Sequence, residues 1–358
     1  MKKNFYKCLF VLPLFSSLTI GNTYAKENVK PHKQIDQESN EYEIYPNPQE
    51  ITYGTKELKL TSNVKVFFEE NIDIYTQNKA MDVLSLKNVK ASKSTFVNNS
   101  DITTLNVGIY GSNKEVDMSL KNKDLSYITN KYDSYYLNIS ESSITILGKD
   151  SDSCFYGLST LELIFEQTNN TIKELEIKDY SDSMYRGFIE GYYGIPWTSE
   201  ERKELMRFGS KFKSNIYIYA PKDDSYHSTN WRGLYSENDL KILKSQIEVG
   251  RQTKTRFAWA IHPFMSSKIT EENYSEGLKA IKAKFNQIYD AGVRQFVVSA
   301  DDIEATLGEA TFASLHTKLL NDLAIWAKEK GDCYNLIFVP SSYCYLSNTR
   351  LKVDLESY

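Results

Sequence analysis

The chain has 358 residues, 41% of them hydrophobic and 25% charged, and a formal net charge of −4 at pH 7. That composition is globular and the length suits two domains with ample core. The absence of a basic cluster excludes a nucleic-acid footprint, and the scattered histidines and cysteines show no metal-ligand spacing, so neither a metal nor a cofactor is expected.

At the N-terminus, Lys2, Lys3 and Lys7 precede an apolar stretch from Leu9 to Ile20, and Thr23-Tyr24-Ala25 offers a small-residue cleavage site. This is the pattern of a secretory signal peptide over residues 1–25. Pro13, Ser16 and Ser17 interrupt the apolar run, which is too short for a comfortable membrane span. A secreted, extracellular protein without membrane association is therefore expected. Cys8 leaves with the signal, and Cys154, Cys333 and Cys344 remain. Three sparse cysteines are no disulfide framework; they read as isolated thiols, with a Cys333–Cys344 bridge as the alternative.

Residues 26–41 are polar and read as a linker. Residues 42–180 read as a small α+β domain. Alternating apolar and polar positions in ITYGTKELKLTSNVKVFFEE and SYYLNISESSITILGKD predict strands, and Asn78–Lys87 and Gly157–Glu166 are helix-like.

From residue 181 to 358 the rhythm becomes strand, loop, helix. Strands are predicted at Gly187–Glu190, Asn215–Tyr219, Arg256–Ala260, Gln295–Ser299 and Asn335–Val339. Helices are predicted at Glu200–Lys213, Glu237–Gln252, Tyr274–Ala291 and Phe312–Lys330. Thr198 or Ser199 supplies the first helix cap, and Gly292 and Gly331 stop the last two helices. Short apolar strands alternating with helices imply a parallel sheet. No strand is followed by GxGxxG or by a GKS or GKT loop, which favours a (β/α) barrel over a nucleotide-binding doubly wound sheet.

Four post-strand segments carry unusual polar content. RGFIEGYYGIPW has three glycines that permit close backbone approach, with Tyr192, Tyr193 and Trp197 as pocket walls. YAPKDDSYH brings Lys222, Asp223 and Asp224 to a strand end. WAIHPF contributes His262, which reads as a packed histidine. FVVSADDI places Asp301 and Asp302 directly after a buried strand. Neighbouring residues near a strand end point in different directions, so both carboxylates can reach one bound sugar. Glycoside hydrolysis asks for such a pair.

The segments RGFIEGYYGIPW, NIYIYAPKDDSYH and FVVSADDIEA resemble glycoside hydrolase family 84, which includes bacterial β-N-acetylglucosaminidases, once called hyaluronidases, and the O-GlcNAcases. The preceding domain resembles the N-terminal domain shared with family 20 hexosaminidases. The resemblance implies a TIM-type (β/α)8 barrel and release of β-linked N-acetylglucosamine from glycans or glycoproteins, with retention, by substrate-assisted catalysis. It implies that Asp301 orients the 2-acetamido group, whose oxygen attacks C1 to give an oxazoline. Asp302 would then be the general acid and base. Gly187, through its carbonyl, and Lys222 would bind sugar hydroxyls, and Tyr343 in VPSSYCY would line the acetamide pocket, with Tyr345 as a rival. One departure stands out: five strands in about 175 residues are only about half of a closed barrel, which takes roughly 250 residues. A fragment, or a non-catalytic glycan-binding remnant, is the alternative reading.

Overall fold

The computed structural model describes residues 41–97, 101–303 and 310–341. The expected signal and nearly all of the linker lie outside them, as do Tyr343, Cys344 and Tyr345. Among the described residues no helix is long and apolar enough to cross a membrane.

The first part is a seven-stranded mixed sheet. Its strands are β1 (Glu50–Lys59), β2 (Asn63–Phe68), β3 (Lys90–Lys93), β4 (Thr104–Ile109), β5 (Tyr132–Ile139), β6 (Ser143–Gly148) and β7 (Thr171–Ser181), in spatial order β1-β7-β5-β6-β4-β2-β3. Helices α1 (Ile74–Ser85) and α4 (Ser151–Gln167) cover one face and bury Leu105, Val107, Leu137, Ile146, Leu158 and Leu161. Two short helices, α2 (Glu115–Ser119) and α3 (Tyr127–Asn130), cover the other around Tyr136 and Leu147. Both long helices begin earlier than their apolar pattern suggests, because a cap sets the start. Asp73 accepts from the Tyr75 and Thr76 amides, and Asp150 accepts from the Ser153 amide.

The second part is a five-stranded parallel sheet in sequence order: β8 (Gly187–Glu190), β9 (Ile216–Tyr219), β10 (Arg256–Ile261), β11 (Gln295–Ser299) and β12 (Ile337–Val339). Helices α5 (Ser199–Lys211), α6 (Glu237–Gln252), α7 (Tyr274–Asp290) and α8 (Ala310–Lys330) alternate with the strands. This is the arrangement of a partial TIM-type barrel, as the sequence implied. The large residues Tyr217, Phe257, Trp259, Phe296 and Val298 face the helices. Smaller or aliphatic ones, Ile216, Ala258, Ala260 and Val297, face the other side, with Ile218, Ile337 and Val339 only partly covered. Ile189 on β8 is 54% exposed.

Caps and stops follow the expected chemistry. Thr198 and Glu201 form a reciprocal capping box on α5. Gly292 and Gly331 take positive φ after α7 and α8. The end of α5 differs: it stops at Lys211, and Lys213 takes a left-handed φ of 63°. Its ammonium is buried, 2.8 Å from Asp179 and 3.0 Å from the Tyr135 hydroxyl, so a long-range ion pair overrides helix propensity there.

That ion pair is one of several ties between the sheets. Arg186 reaches Asp133 at 2.7 Å, Lys254 pairs with Asp73 and, at 2.7 Å, with Asp152, and the Tyr75 hydroxyl donates to Glu248 at 3.0 Å. The described residues from Tyr42 to Ser341 belong to one compact unit. On α7, Lys284 is fully buried with Nζ 4.8, 4.9 and 5.6 Å from the rings of Tyr226, Tyr235 and Trp259. Burial pushes its pKa down to about 8. Cys154 and Cys333 are free thiols.

Candidate active site

The polar segments singled out in the sequence all leave the carboxyl ends of parallel strands, the end at which barrel sites are built. After β11, Ala300 donates its amide to the Val339 carbonyl at 2.8 Å, and Asp301 follows. Its Oδ2 accepts from Lys222 Nζ at 2.7 Å. The lysine side chain is 2% exposed and the aspartate 15%. The buried ammonium fixes the direction of the Asp301 side chain.

Lys222 is placed by its own loop. Its amide donates to the Tyr192 carbonyl at 3.3 Å, and its carbonyl accepts from Ser228 Oγ at 2.9 Å. Asp224 shapes the loop, accepting from the Tyr226 amide at 2.8 Å and from the Tyr219 hydroxyl. Asp223 accepts from the Gly194 amide, tying this loop to the one after β8. Below it, Glu190 is fully buried and takes both Arg202 nitrogens, at 2.8 and 2.9 Å, plus the Tyr217 hydroxyl and the Trp197 amide. A two-pronged buried pair of this kind fixes the strand end against α5.

Asp302 is exposed and takes a left-handed φ of 54°. Tyr193 stands near it: desolvation, then the charges of Asp302 and Asp301, push the phenol above its ordinary value. Behind the carboxylates, His262 and His227 are fully buried. Burial pushes His227 down to about 3 and also lowers His262, leaving both neutral. Among the described residues, no group of three or more His, Cys, Asp or Glu is arranged to hold a metal ion.

A family model for beta-N-acetylglucosaminidase matches residues 186–357, and one for glycosyl hydrolase family 20, domain 2, matches residues 41–180. The solved structure titled "Structure of CpGH84D" superposes with a TM-score of 0.78 at 44% identity, over 85% of this chain and 51% of that one. "Structure of CpGH84B" gives 0.75 at 30% identity, over 88% and 54%. The two models and these superpositions support a member of glycoside hydrolase family 84. The chain is also 34% identical over 164 residues to Protein O-GlcNAcase of Rattus norvegicus and of Mus musculus, over 44% of this chain and 17% of each. The chain thus spans about half of the solved family 84 structures and a smaller share of the two mammalian proteins.

Within this chain, three of the five residues named from sequence come together: Asp301, Asp302 and Lys222. Tyr343 lies outside the described residues. Gly187 does not join them, and this corrects the sequence assignment. It opens β8, at the amino end of the sheet, paired with Ile216, and a Cβ there would sit 1.8 Å from the Ile216 carbonyl oxygen. Its glycine serves strand pairing. Gly191 is the glycine at the carboxyl end of β8; a Cβ there meets nothing nearer than Ile189, at 3.4 Å. The protein's own packing leaves room for a side chain at that position. The strand boundary itself was the missed signal, since Gly187 lies inside the apolar run and Gly191 directly after it. His262 is buried, in keeping with its reading as a packed histidine; the part played by His227 was missed because a lone histidine near a strand end carries no spacing signal.

Proposed function

We propose that this chain carries the catalytic carboxylates of a retaining β-N-acetylglucosaminidase that acts by substrate assistance. The observation that carries the reading is the Lys222–Asp301 pair at 2.7 Å, at the carboxyl end of the sheet, with Asp302 next in the chain. Lys222 holds Asp301 aimed. Asp301 accepts the N–H of the substrate's 2-acetamido group and turns its carbonyl oxygen toward C1. That oxygen attacks C1, the bond to the leaving oxygen breaks, and Asp302 gives its proton to the departing group. Asp302 then takes a proton from water as the water opens the oxazoline, which restores the original anomeric configuration. The acetamide replaces an enzyme nucleophile. The names of the relatives support N-acetylglucosamine-bearing glycans or glycoproteins as the substrate class. The reading includes export, on the strength of the pattern in residues 1–25.

The test is release of 4-nitrophenol from its β-N-acetylglucosaminide by residues 26–358. Asp301→Asn and Asp302→Asn are each expected to lower kcat by about 10²- to 10⁴-fold, the usual size of positioned acid–base chemistry. Turnover that survives both changes would refute the assignment. A folded wild-type chain that binds N-acetylglucosamine without turnover would favour the glycan-binding alternative.

A further inference from the structure

Asp301 and Asp302 share one peptide group, and a histidine holds it. His262 Nε2 lies 2.7 Å from the Asp301 carbonyl oxygen. A carbonyl only accepts, so Nε2 carries the ring's proton. The ring is braced from behind: the His262 amide donates to the His227 carbonyl at 2.8 Å, and the two rings meet edge to face at 6.2 Å. His227 Nδ1 is in turn 2.9 Å from the Ala260 carbonyl. Both imidazoles are fully buried and neutral, so His262 has a single N–H to give and the Asp301 carbonyl receives it.

That carbonyl matters because of Asp302. Its φ of 54° lies in the left-handed region, which few non-glycine residues adopt, although aspartate tolerates it. Rotating the shared peptide plane changes ψ of Asp301 and φ of Asp302 together. An unrestrained plane would be free to turn and return Asp302 to negative φ, re-aiming its carboxyl group. We propose that His262 is a positioning residue whose Nε2–H pins the Asp301–Asp302 peptide and so fixes the angle between the two carboxylates. The inference rests on the reading of that pair as catalytic.

The test uses His262→Phe, His262→Gln and His262→Asn in residues 26–358. The glutamine amide nitrogen can reach the place of Nε2, whereas the shorter asparagine reaches only that of Nδ1. The phenylalanine and asparagine variants are expected to lose about 10²-fold in kcat, the scale of a small misplacement of reacting groups, with KM within about twofold of wild type. The glutamine variant should recover most of the loss. Full kcat in His262→Phe, a loss confined to KM, or a glutamine variant as poor as phenylalanine would overturn the proposal. Crystal structures of the phenylalanine and glutamine variants decide separately. Asp302 should leave the left-handed region in the first and keep it in the second; an unmoved peptide in His262→Phe would overturn the proposal whatever the activity. An inactive wild-type chain would count against the functional reading alone, because the two variant structures still report on the peptide.

Discussion

At the scale of single residues, the site depends on buried groups kept in one protonation state. His227 is neutral when folded, with a pKa pushed down to about 3 by burial, and ordinary when unfolded, near 6.5. The unfolded chain therefore binds more protons below about pH 6.5. Stability is complete above that pH and falls as pH drops toward 3, by about 1.4 kcal/mol per unit for this histidine. His316, lowered to about 4, adds to the same trend. His227→Asn keeps a donor for the Ala260 carbonyl and removes the titration. Urea unfolding at pH 7, 6 and 5 should show a shallower loss in that variant by about one proton's worth, and an unchanged slope would contradict the assignment. Asp301 and Asp302 were legible in the sequence because two adjacent acids ended an apolar strand. Their supports were not: the Lys222 contact spans 79 residues and the His262 contact 39. Such distances are closed by the fold, not by local pattern.

At the scale of elements, the β/α alternation after residue 186 was readable because short apolar strands alternate with amphipathic helices, two of which end at glycine stops, Gly292 and Gly331. The errors fall where tertiary contacts overrule local preference. Lys213 leaves helical geometry to bury its ammonium on Asp179, and α1 and α4 start at aspartate caps ahead of their apolar stripes. The two glycines of β8 separate these influences experimentally. Gly187→Ala would drive a methyl into the Ile216 carbonyl, so it should destabilise the fold by about 2 kcal/mol or more. Gly191→Ala should leave the melting temperature within a degree or two and raise KM about tenfold, equivalent to about 1.4 kcal/mol of ligand contact. Thermal melts beside steady-state kinetics check both, and the reverse pattern would restore Gly187 to the site.

At the scale of the whole molecule, two sheets with separate cores are joined by ion pairs and hydrogen bonds spread over their shared boundary. Among the described residues, four connections use lysine or arginine from the parallel-sheet part against aspartates of the mixed-sheet part: Arg186–Asp133, Lys213–Asp179, Lys254–Asp73 and Lys254–Asp152. Residues 42–358 should accordingly melt in one calorimetric transition. Asp179→Asn would leave the Lys213 ammonium buried opposite a neutral amide, at a cost of about 3 kcal/mol. The expected result is a single transition moved to lower temperature. Two resolved transitions in either protein would mean that the sheets unfold independently. The sequence places a change of rhythm at residue 181, yet it holds no sign of this coupling, since each partner reads alone as an ordinary surface charge.

The aromatic enclosure of Lys284 has a practical consequence. An amine held near a pKa of 8 is chemically readier to acylate than a surface lysine, yet Tyr226, Tyr235 and Trp259 seal it from any reagent. An amine-selective label would therefore mark the outer lysines first and reach Lys284 only when α7 lifts from the sheet. The mass of the one peptide that carries it becomes a clock for native opening, readable in a crude mixture and without any substrate.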